Sequence, residues 1–216
     1  MHKKRSEVPK EWPIPRKGDK YVKVATHNLD KGIPILVILR DILKLVRTRK
    51  EAKKICNEGK IKINGIIRKE IGFPLCNRDI LQIEDLNKTF VVEIQNEKFV
   101  VKEKEGLKDI KKILKVIGKN ILKGKRIQAN LEDGTNILTK EKFSVGDSFL
   151  VSFPEKKVLK VIHLTKGTKV EIISGKYSGL KGEIIAEDED RNNFFKVKLE
   201  DGREVDLTKK SLLAIE

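Results

Sequence analysis

The sequence predicts an α+β, multidomain chain with several small cores. Apolar residues recur at three- and four-residue steps mainly near the start, as in amphipathic helices. Further along they alternate as in half-buried strands and are separated by Asn-Gly or Asp-Gly turns. Hydrophobic residues make up 38% of the 216 residues, which favours several small cores over one large core. We therefore expect four parts, with the boundaries 1–32, 33–88, 89–164 and 165–216.

The first part, residues 1–32, reads as a basic extended arm. Prolines stand among Lys and Arg with little apolar periodicity. Such a segment cannot offset its ordering entropy alone, so we expect it to be disordered until it binds a partner. Trp12 has two interpretations, an anchor that packs the arm onto the next domain or a ring that stacks on a nucleobase. Because Trp is highly buried on average, packing is favoured.

The second part, residues 33–88, is a small α/β module that opens with two helices. Apolar residues predict an amphipathic helix over 35–47, with three basic residues on its other side: Arg40, Lys44 and Arg47. Thr48 and Glu51 have the spacing of a capping box, which predicts a second helix from Arg49 that stops at Gly59. Its inward residues are Ala52, Ile55 and Cys56.

A hairpin follows these helices. Asn64-Gly65 lies between the isoleucine pairs at 61–63 and 66–67, which is the strongest short-range signal for a tight hairpin. Ile80–Ile83 supplies a further strand. The two helices and the hairpin complete the predicted module.

The third part, residues 89–164, is predicted to be a central β-rich domain. Alternation begins at Phe90, is interrupted by a short helical interlude near Leu107 to Leu114, and resumes around Asp133-Gly134. In the fourth part, residues 165–216, short strands with regular turns, one at Asp201-Gly202, predict a small β-barrel.

Charge indicates the class of partner. Lys and Arg number 48 against 32 Asp and Glu, a formal net charge of +16. Residues 1–60 carry a net +10, whereas residues 181–216 carry a net −3. Such self-repulsion is relieved by an anionic partner, and we expect a nucleic acid gripped mainly from the N-terminal end. Aromatic residues are only 5% of the chain, which favours shape recognition of folded RNA over single-strand stacking.

The second helix concentrates this charge at its N-terminal end. Arg49, Lys50, Lys53 and Lys54 stand where the macrodipole already places positive charge, which disfavours the isolated helix. A bound phosphate would offset that penalty and would also meet free backbone N–H groups. A solvated charged face is the simpler interpretation, but the position at the unfavourable end favours an anion site.

Constellations for other functions are missing from the sequence. The two cysteines, Cys56 and Cys76, lack metal-ligand spacing, and His2, His27 and His163 are isolated. We therefore expect no metal, no cofactor and no enzymatic activity, and a structural role for His163. Few cysteines and no apolar leader indicate a reducing, intracellular setting without a membrane partner.

The module resembles a known RNA-binding unit. An apolar helix at 33–46, a basic helix at 49–56, the turn and hairpin at 59–65 and the pair Arg68-Lys69 follow one another. This succession is similar to the ribosomal-protein RNA-binding module that also occurs in pseudouridine synthases and tyrosyl-tRNA synthetases. The resemblance implies that two helices and a hairpin present basic residues to structured RNA.

A glycine-rich segment, GKYSGLKG at 175–182, lies between two predicted strands. A nucleotide-phosphate loop would lead from a strand into a helix with Lys-Ser or Lys-Thr at its end. Here Glu183 and Ile184 continue a β pattern, so that interpretation fails. The segment resembles the KOW motif of ribosomal and transcription-elongation proteins, which implies an SH3-like barrel over 165–216.

The order of motifs along the whole chain carries a more specific resemblance. The segment at 9–14, the module, and the segments at 124–134, 145–148, 154–159 and 175–182 are similar to the archaeal and eukaryotic small-subunit ribosomal protein S-four-e family nearly end to end. The resemblance implies a structural constituent of the cytoplasmic ribosome. Its partners would be small-subunit ribosomal RNA and neighbouring small-subunit ribosomal proteins.

Two rival classes share parts of this pattern. An RNA pseudouridine synthase needs a large catalytic domain with an Arg-Leu-Asp type motif, which the sequence lacks. A KOW-bearing transcription elongation factor would leave the basic arm and the helical module unexplained. On the ribosomal interpretation the RNA-binding residues are Lys3, Lys4, Arg5, Arg16, Lys17, Arg40, Arg49, Lys50, Lys53, Lys54, Lys60, Lys62, Arg68, Lys69, Lys125, Arg126 and Lys176.

Overall fold

The structure, a computed structural model, describes residues 2–27, 32–95, 98–104, 110–124, 126–187 and 193–215. The chain divides into two compact units, Met1–Ile110 and Lys111–Glu216. In the described residues the backbone is mostly β, with two helices and several antiparallel sheets. The predicted α+β, multi-unit class is therefore correct in this coarse form.

The first unit contains both helices. Helix α1 has an α-helical turn at Ile35–Val37 that continues as a π-helical turn at Ile38–Ile42, and helix α2 covers Arg49–Asn57. The strands are β1 (His2–Lys4), β2 (Tyr21–Lys23), β3 (Ile33–Pro34), β4 (Ile61–Ile63), β5 (Ile66–Ile67), β6 (Pro74–Leu75), β7 (Ile80–Ile83), β8 (Lys88–Gln95) and β9 (Lys98–Glu103). They form a sheet of order β5-β4-β7-β8-β9 and the pairs β1-β2 and β3-β6.

The predicted extended arm is not extended over residues 2–27. Strands β1 and β2 pair as a short ribbon, and Trp12 is only 4% exposed within the core of the first unit. The Phe99 N–H donates to the Glu11 carbonyl at 2.9 Å, which ties the segment to β9. The buried indole and this long-range hydrogen bond order the segment without a partner, and they confirm the interpretation of Trp12 as an anchor.

Helix α1 is shorter than predicted. It ends at Ile42, and Lys44 has a left-handed φ of 54°. The N–H groups of Leu45 and Val46 then turn back to the Leu39 carbonyl, at 2.9 and 3.4 Å. Val46 is buried although it follows the helix, so the apolar periodicity continued past the point where the helix ends.

The predicted boundary after residue 88 falls inside a sheet. Strand β8 begins at Lys88 and pairs with β7, and β9 pairs with β8 in turn. These ladder hydrogen bonds place residues 88–103 in the same unit as the predicted module. The first compact unit extends to residue 110 accordingly.

The second unit contains two five-stranded sheets. Its strands are β10 (Ile110–Ile121), β11 (Ile127–Leu131), β12 (Asn136–Thr139), β13 (Ser148–Phe153), β14 (Lys157–Ile162), β15 (Lys169–Ile172), β16 (Lys181–Glu187), β17 (Phe194–Leu199), β18 (Glu204–Thr208) and β19 (Leu212–Ala214). The sheet orders are β12-β11-β10-β13-β14 and β18-β17-β16-β15-β19. A closed barrel over 165–216 stays a prediction.

The predicted helical interlude near residues 107–114 is wrong where the structure describes it. Residues 110–114 belong to β10, and 107–109 lie outside the described residues. Ile110, Lys112 and Leu114 are buried, which is the period of two that a strand requires. A lysine occupies the middle position, so apolar residues alone gave a misleading helical spacing.

Two polar side chains stabilise the second unit from within. Lys115, 6% exposed, donates its ammonium to three backbone carbonyls: Lys209 (2.5 Å), Leu212 (2.6 Å) and Lys210 (3.0 Å). Asp147, 4% exposed, contacts His163 Nδ1 at 2.8 Å and accepts the Leu164 N–H at 3.1 Å. The structural role predicted for His163 agrees with this contact.

The glycine-rich segment has the backbone that its sequence suggested. Gly175 and Gly179 have positive φ angles of 94° and 89°. Gly182 lies in β16, where an added Cβ would be 2.6 Å from the Lys198 carbonyl oxygen on β17. The segment leads into a strand, so the alternative of a phosphate loop opening a helix is excluded by the structure.

Candidate nucleic-acid interface

Helix α2 begins with the predicted capping box. The Glu51 N–H donates to Thr48 Oγ1 at 3.3 Å, and the Thr48 N–H donates back to Glu51 Oε2 at 3.4 Å. The Arg47 N–H and then the Thr48 hydroxyl hold the pKa of the Glu51 carboxyl below its ordinary value. Ala52 and Cys56 are buried, so the helix presents its opposite side to solvent.

Four cations occupy that exposed side. Arg49, Lys50, Lys53 and Lys54 are all exposed, and within the described residues none has an ion-pair or hydrogen-bond partner for its side chain. Lys50, Lys53 and Lys54 line one shallow depression of the surface. Glu51 is engaged in the cap, and Glu58, which lines the same depression, binds Lys60 instead. The charges of Arg49 and Lys50 add to the positive end of the helix dipole, which is an arrangement that favours an anion, whereas Lys54 lies in the last turn of the helix.

The β1–β2 ribbon brings further positive charge to the same end of α2. His2 pairs with Lys23 and Lys4 with Tyr21, so these four side chains share one face of the ribbon. Desolvation and the nearby positive charges of Arg49 and Lys23 lower the pKa of His2. Lys4 is exposed and Lys3, on the other face, is half-buried. The charges of the ribbon and of the helix are therefore close enough to interact.

Arg5 has a structural task within this segment. Its Nε donates to the Asp19 carbonyl at 2.8 Å and its Nη1 to the Pro15 carbonyl at 2.7 Å. These bonds hold the loop that presents Arg16 and Lys17, both exposed. Arg16 and Lys17 are thus available to a partner.

Three of the predicted RNA-binding residues are neutralised by neighbouring carboxylates. Arg40 binds Asp41 at 2.9 Å, and Lys62 lies 2.5 Å from Glu84. Lys60 binds two carboxylates, Glu58 at 2.8 Å and Asp85 at 2.9 Å, and these contacts raise the pKa of Lys60. Their charge is already compensated, so they contribute less to an anion site than the four cations of α2.

The other predicted residues are dispersed. The Arg68 guanidinium lies 4.3 Å from the centre of the Phe73 ring, and Lys69 beside it is exposed. In the second unit Arg126 is exposed, and Lys176 Nζ lies 5.7 Å from the Tyr177 ring centre. The remaining one, Lys125, lies outside the described residues.

Two cations that were not among the predicted RNA-binding residues lie close to Arg5 and Arg16 of the N-terminal segment. Lys10 and Lys98 line a depression together with Arg5 and Arg16. Lys98 comes from the start of β9, far along the chain, so no local pattern could have assigned it.

Other kinds of site find no support in the described part of the chain. Its His, Cys, Asp and Glu side chains form no group of three or more that could hold a metal ion. None of its helices is long and apolar enough to cross a membrane.

Comparison with known proteins identifies the family. Residues 87–158 match the model of Ribosomal family S4e, and residues 34–81 match the S4 domain. The small ribosomal subunit protein eS4 of Methanosphaera stadtmanae is 36% identical over 187 residues, which cover 85% of this chain and 78% of that protein. The chain belongs to the S4e family of ribosomal proteins. The resemblance inferred from its motifs is thereby confirmed.

Other S4e proteins agree with this assignment. The small ribosomal subunit protein eS4 of Archaeoglobus fulgidus is 36% identical over 188 residues, covering 85% of this chain and 79% of that protein. The crystal structure of the 30S ribosomal protein S4e from Thermoplasma acidophilum superposes with a TM-score of 0.70 at 28% identity. That match covers 86% of this chain and 95% of the other. The S4 domain match includes most of the predicted module, whereas the KOW assignment stays a prediction.

Proposed function

We propose that this S4e-family protein is a non-catalytic structural constituent of the small ribosomal subunit that binds folded small-subunit ribosomal RNA. The observation that carries the proposal is the exposed side of α2, where four cations without an ion-pair partner in the described residues lie between the first and the sixth residue of a capped helix. The names of its relatives, which are small ribosomal subunit proteins, support it.

The mechanism is charge neutralisation combined with shape recognition. Phosphates that approach Arg49, Lys50, Lys53 and Lys54 release their counterions and also meet the N–H groups of the first helical turn. The helix gains from this contact, because the cations of its first turn, Arg49 and Lys50, oppose its dipole when no anion is bound. Arg16, Lys17 and the β1–β2 ribbon extend the positive surface beside it.

Further parts of the proposal follow from the family. Neighbouring small-subunit ribosomal proteins are the other partners, and the cytoplasmic ribosome is the location. The unit over 165–216 is an SH3-like KOW barrel whose glycine-rich segment, with Lys176, adds a second RNA contact. No cofactor or metal is needed for any of these roles.

The experiment compares two fourfold alanine variants. One neutralises Arg49, Lys50, Lys53 and Lys54. The matched control neutralises Lys157, Lys160, Lys166 and Lys169, which are exposed and have no side-chain partner in the described residues. Lys196 and Lys209 are unsuitable controls, since Lys196 pairs with Glu204 and the Lys209 stem packs on Gly146.

The measurement is the affinity for a folded small-subunit ribosomal RNA fragment at several salt concentrations. Each lost phosphate contact flattens the slope of log affinity against log salt by about 0.9, so four contacts flatten it by about 3.6. The control variant should change the slope by less than about 1. Equal flattening in both variants, with circular dichroism showing intact folds, would refute α2 as the main contact.

A further inference from the structure

A concave depression lies where the N-terminal segment packs beside the start of β9. Its volume is about 520 Å³, within the range of sites that hold small ligands. Four cationic side chains line it, Arg5, Lys10, Arg16 and Lys98, together with Trp12 and three prolines. Among the residues that the structure describes, none of the lining side chains is acidic.

The walls of the depression are held by the fold of the first unit. Arg5 fixes the loop that carries Arg16 through its bonds to the Pro15 and Asp19 carbonyls. Gly18, with a φ of 137°, lets that loop close on the guanidinium, since an added Cβ would be 3.3 Å from Arg5 Cζ. The Phe99–Glu11 hydrogen bond fixes the opposite side. The depression is therefore formed before any ligand arrives.

Two sets of groups are left available for a ligand. Lys10, Arg16 and Lys98 are exposed and have no ion-pair partner in the described residues. Trp12, although 4% exposed, has an indole Nε1 that is buried without a hydrogen-bond partner in that part of the chain. A buried N–H with no acceptor costs free energy until a partner supplies one.

We propose that this depression receives one unpaired nucleotide of the bound RNA. Its phosphate lies against Arg16 and Lys98, its flat base packs on the prolines that line the depression, and a base or sugar oxygen accepts the Trp12 N–H. The proposal rests on the proposed RNA-binding function and specifies which element of the RNA the protein selects. It assigns Lys10 and Lys98 to the interface.

The chemistry of the lining favours a nucleotide over an acidic peptide. Cations alone would suit a row of carboxylates, but the three prolines and Ile14 offer apolar surface on which a base packs, and the buried indole N–H offers a hydrogen-bond donor that carboxylate binding does not need. Because the volume of the depression is limited to about 520 Å³, it selects one flipped nucleotide rather than a stretch of single strand. This is consistent with the low aromatic content of the chain.

The chain has a single tryptophan, so the indole N–H resonance of Trp12 reports on this depression without ambiguity. The experiment titrates the ¹⁵N-labelled full chain with an RNA duplex that carries one bulged nucleotide. The comparison RNAs are the fully paired duplex and the duplex with an abasic residue at the bulge. We expect the indole resonance to shift with the bulged RNA only, and the bulge to raise the affinity about tenfold, which corresponds to about 1.4 kcal/mol.

Two double variants test the residues. Arg16→Ala with Lys98→Ala should abolish the tenfold preference for the bulge, because the phosphate loses its partners. Lys140→Ala with Lys142→Ala removes the same charge from exposed positions outside the depression and should retain the preference. Adenosine 5′-monophosphate should shift the resonance only at concentrations about a hundredfold higher than the bulged RNA, since the tethered nucleotide has a high effective concentration.

Four other outcomes would each contradict either the nucleotide site or RNA binding itself. If all three RNAs bind with a steep salt dependence and the indole resonance does not move, the depression is not a nucleotide site, while RNA binding stands. If a polyglutamate peptide moves the resonance at lower concentration than the bulged RNA, the occupant is an acidic peptide. Free nucleotide binding as tight as the bulged RNA overturns the assignment to RNA. Failure of all three RNAs to bind refutes the proposed function itself.

Discussion

Replacement of Lys115 by Met should destabilise the second unit by about 2 kcal/mol. The ammonium donates to three carbonyls, and the Lys209 carbonyl keeps a second donor in the Leu212 N–H. Two carbonyls, those of Lys210 and Leu212, therefore lose this donor, at about 1–3 kcal/mol each. Met removes the desolvation cost of the buried charge, which offsets part of that loss.

The assay is calorimetric unfolding of the full chain. A loss of about 2 kcal/mol should lower the Tm of the affected transition by about 4–8 °C. Lys119→Met is the matched control, because Lys119 lies on the same strand but is exposed and donates to one carbonyl, that of Phe143 at 2.9 Å. If Lys115→Met is no more destabilising than Lys119→Met, the three carbonyl contacts do not stabilise the unit.

Three further predictions concern α2, a buried thiol and a close backbone approach. Thr48→Ala should lower the free energy of unfolding by about 1 kcal/mol, measured by thermal unfolding, whereas Thr48→Ser should leave it close to that of the unsubstituted chain. Because the pKa of Glu51 is lowered in the fold, the stability that Glu51 contributes is present at neutral pH and is lost as the pH falls through its folded pKa. This loss on acidification should be smaller in Thr48→Ala. Burial raises the pKa of the Cys56 thiol to about 11, so at pH 8 Cys56 should react with a disulfide reagent far more slowly than half-buried Cys76, and equal rates would contradict this. Gly182→Ala should cost about 1–3 kcal/mol, since its Cβ would stand 2.6 Å from the Lys198 carbonyl oxygen, and an unchanged Tm would show that β16 and β17 can separate without cost.

Local signals in the sequence were sufficient for several elements. Asn64-Gly65 turns with positive φ angles of 50° and 76°, as such a pair in a two-residue hairpin requires. The capping box at Thr48 and Glu51 fixed the start of α2, and with it the exposed positions of its cations. In both cases the information lies within a few residues, where propensity and side-chain chemistry decide the backbone.

Long-range contacts decided what the sequence could not show. The N-terminal segment is ordered by the burial of Trp12 and by the bond between Glu11 and Phe99, and neither leaves a local pattern. Lys62 is as basic as the cations of α2, yet Glu84, which directly follows the neighbouring strand β7, neutralises it. Which lysines are free for a partner is a property of the fold.

For the buried lysines of β10, the type of residue predicts burial less well than its position in the strand does. Lys112 and Lys115 are both buried in β10, and Lys115 donates to the carbonyls of Lys209, Lys210 and Leu212. A count of apolar residues treats both as surface residues and misreads the strand.

The hydrogen bond between Glu11 and Phe99 also constrains the order of events during synthesis. The partner of Glu11 is 88 positions further along the chain, so the N-terminal segment cannot complete its packing when it leaves the ribosome tunnel. At about 5–20 residues per second, the wait is about 4–18 s. During that interval the segment lacks its contact with β9, so we expect its cationic side chains and Trp12 to be exposed to solvent. Closing so long a loop also carries an entropic cost. A nascent chain arrested before β9 should therefore be cleaved by protease within residues 2–27, whereas one arrested after β9 should be protected there.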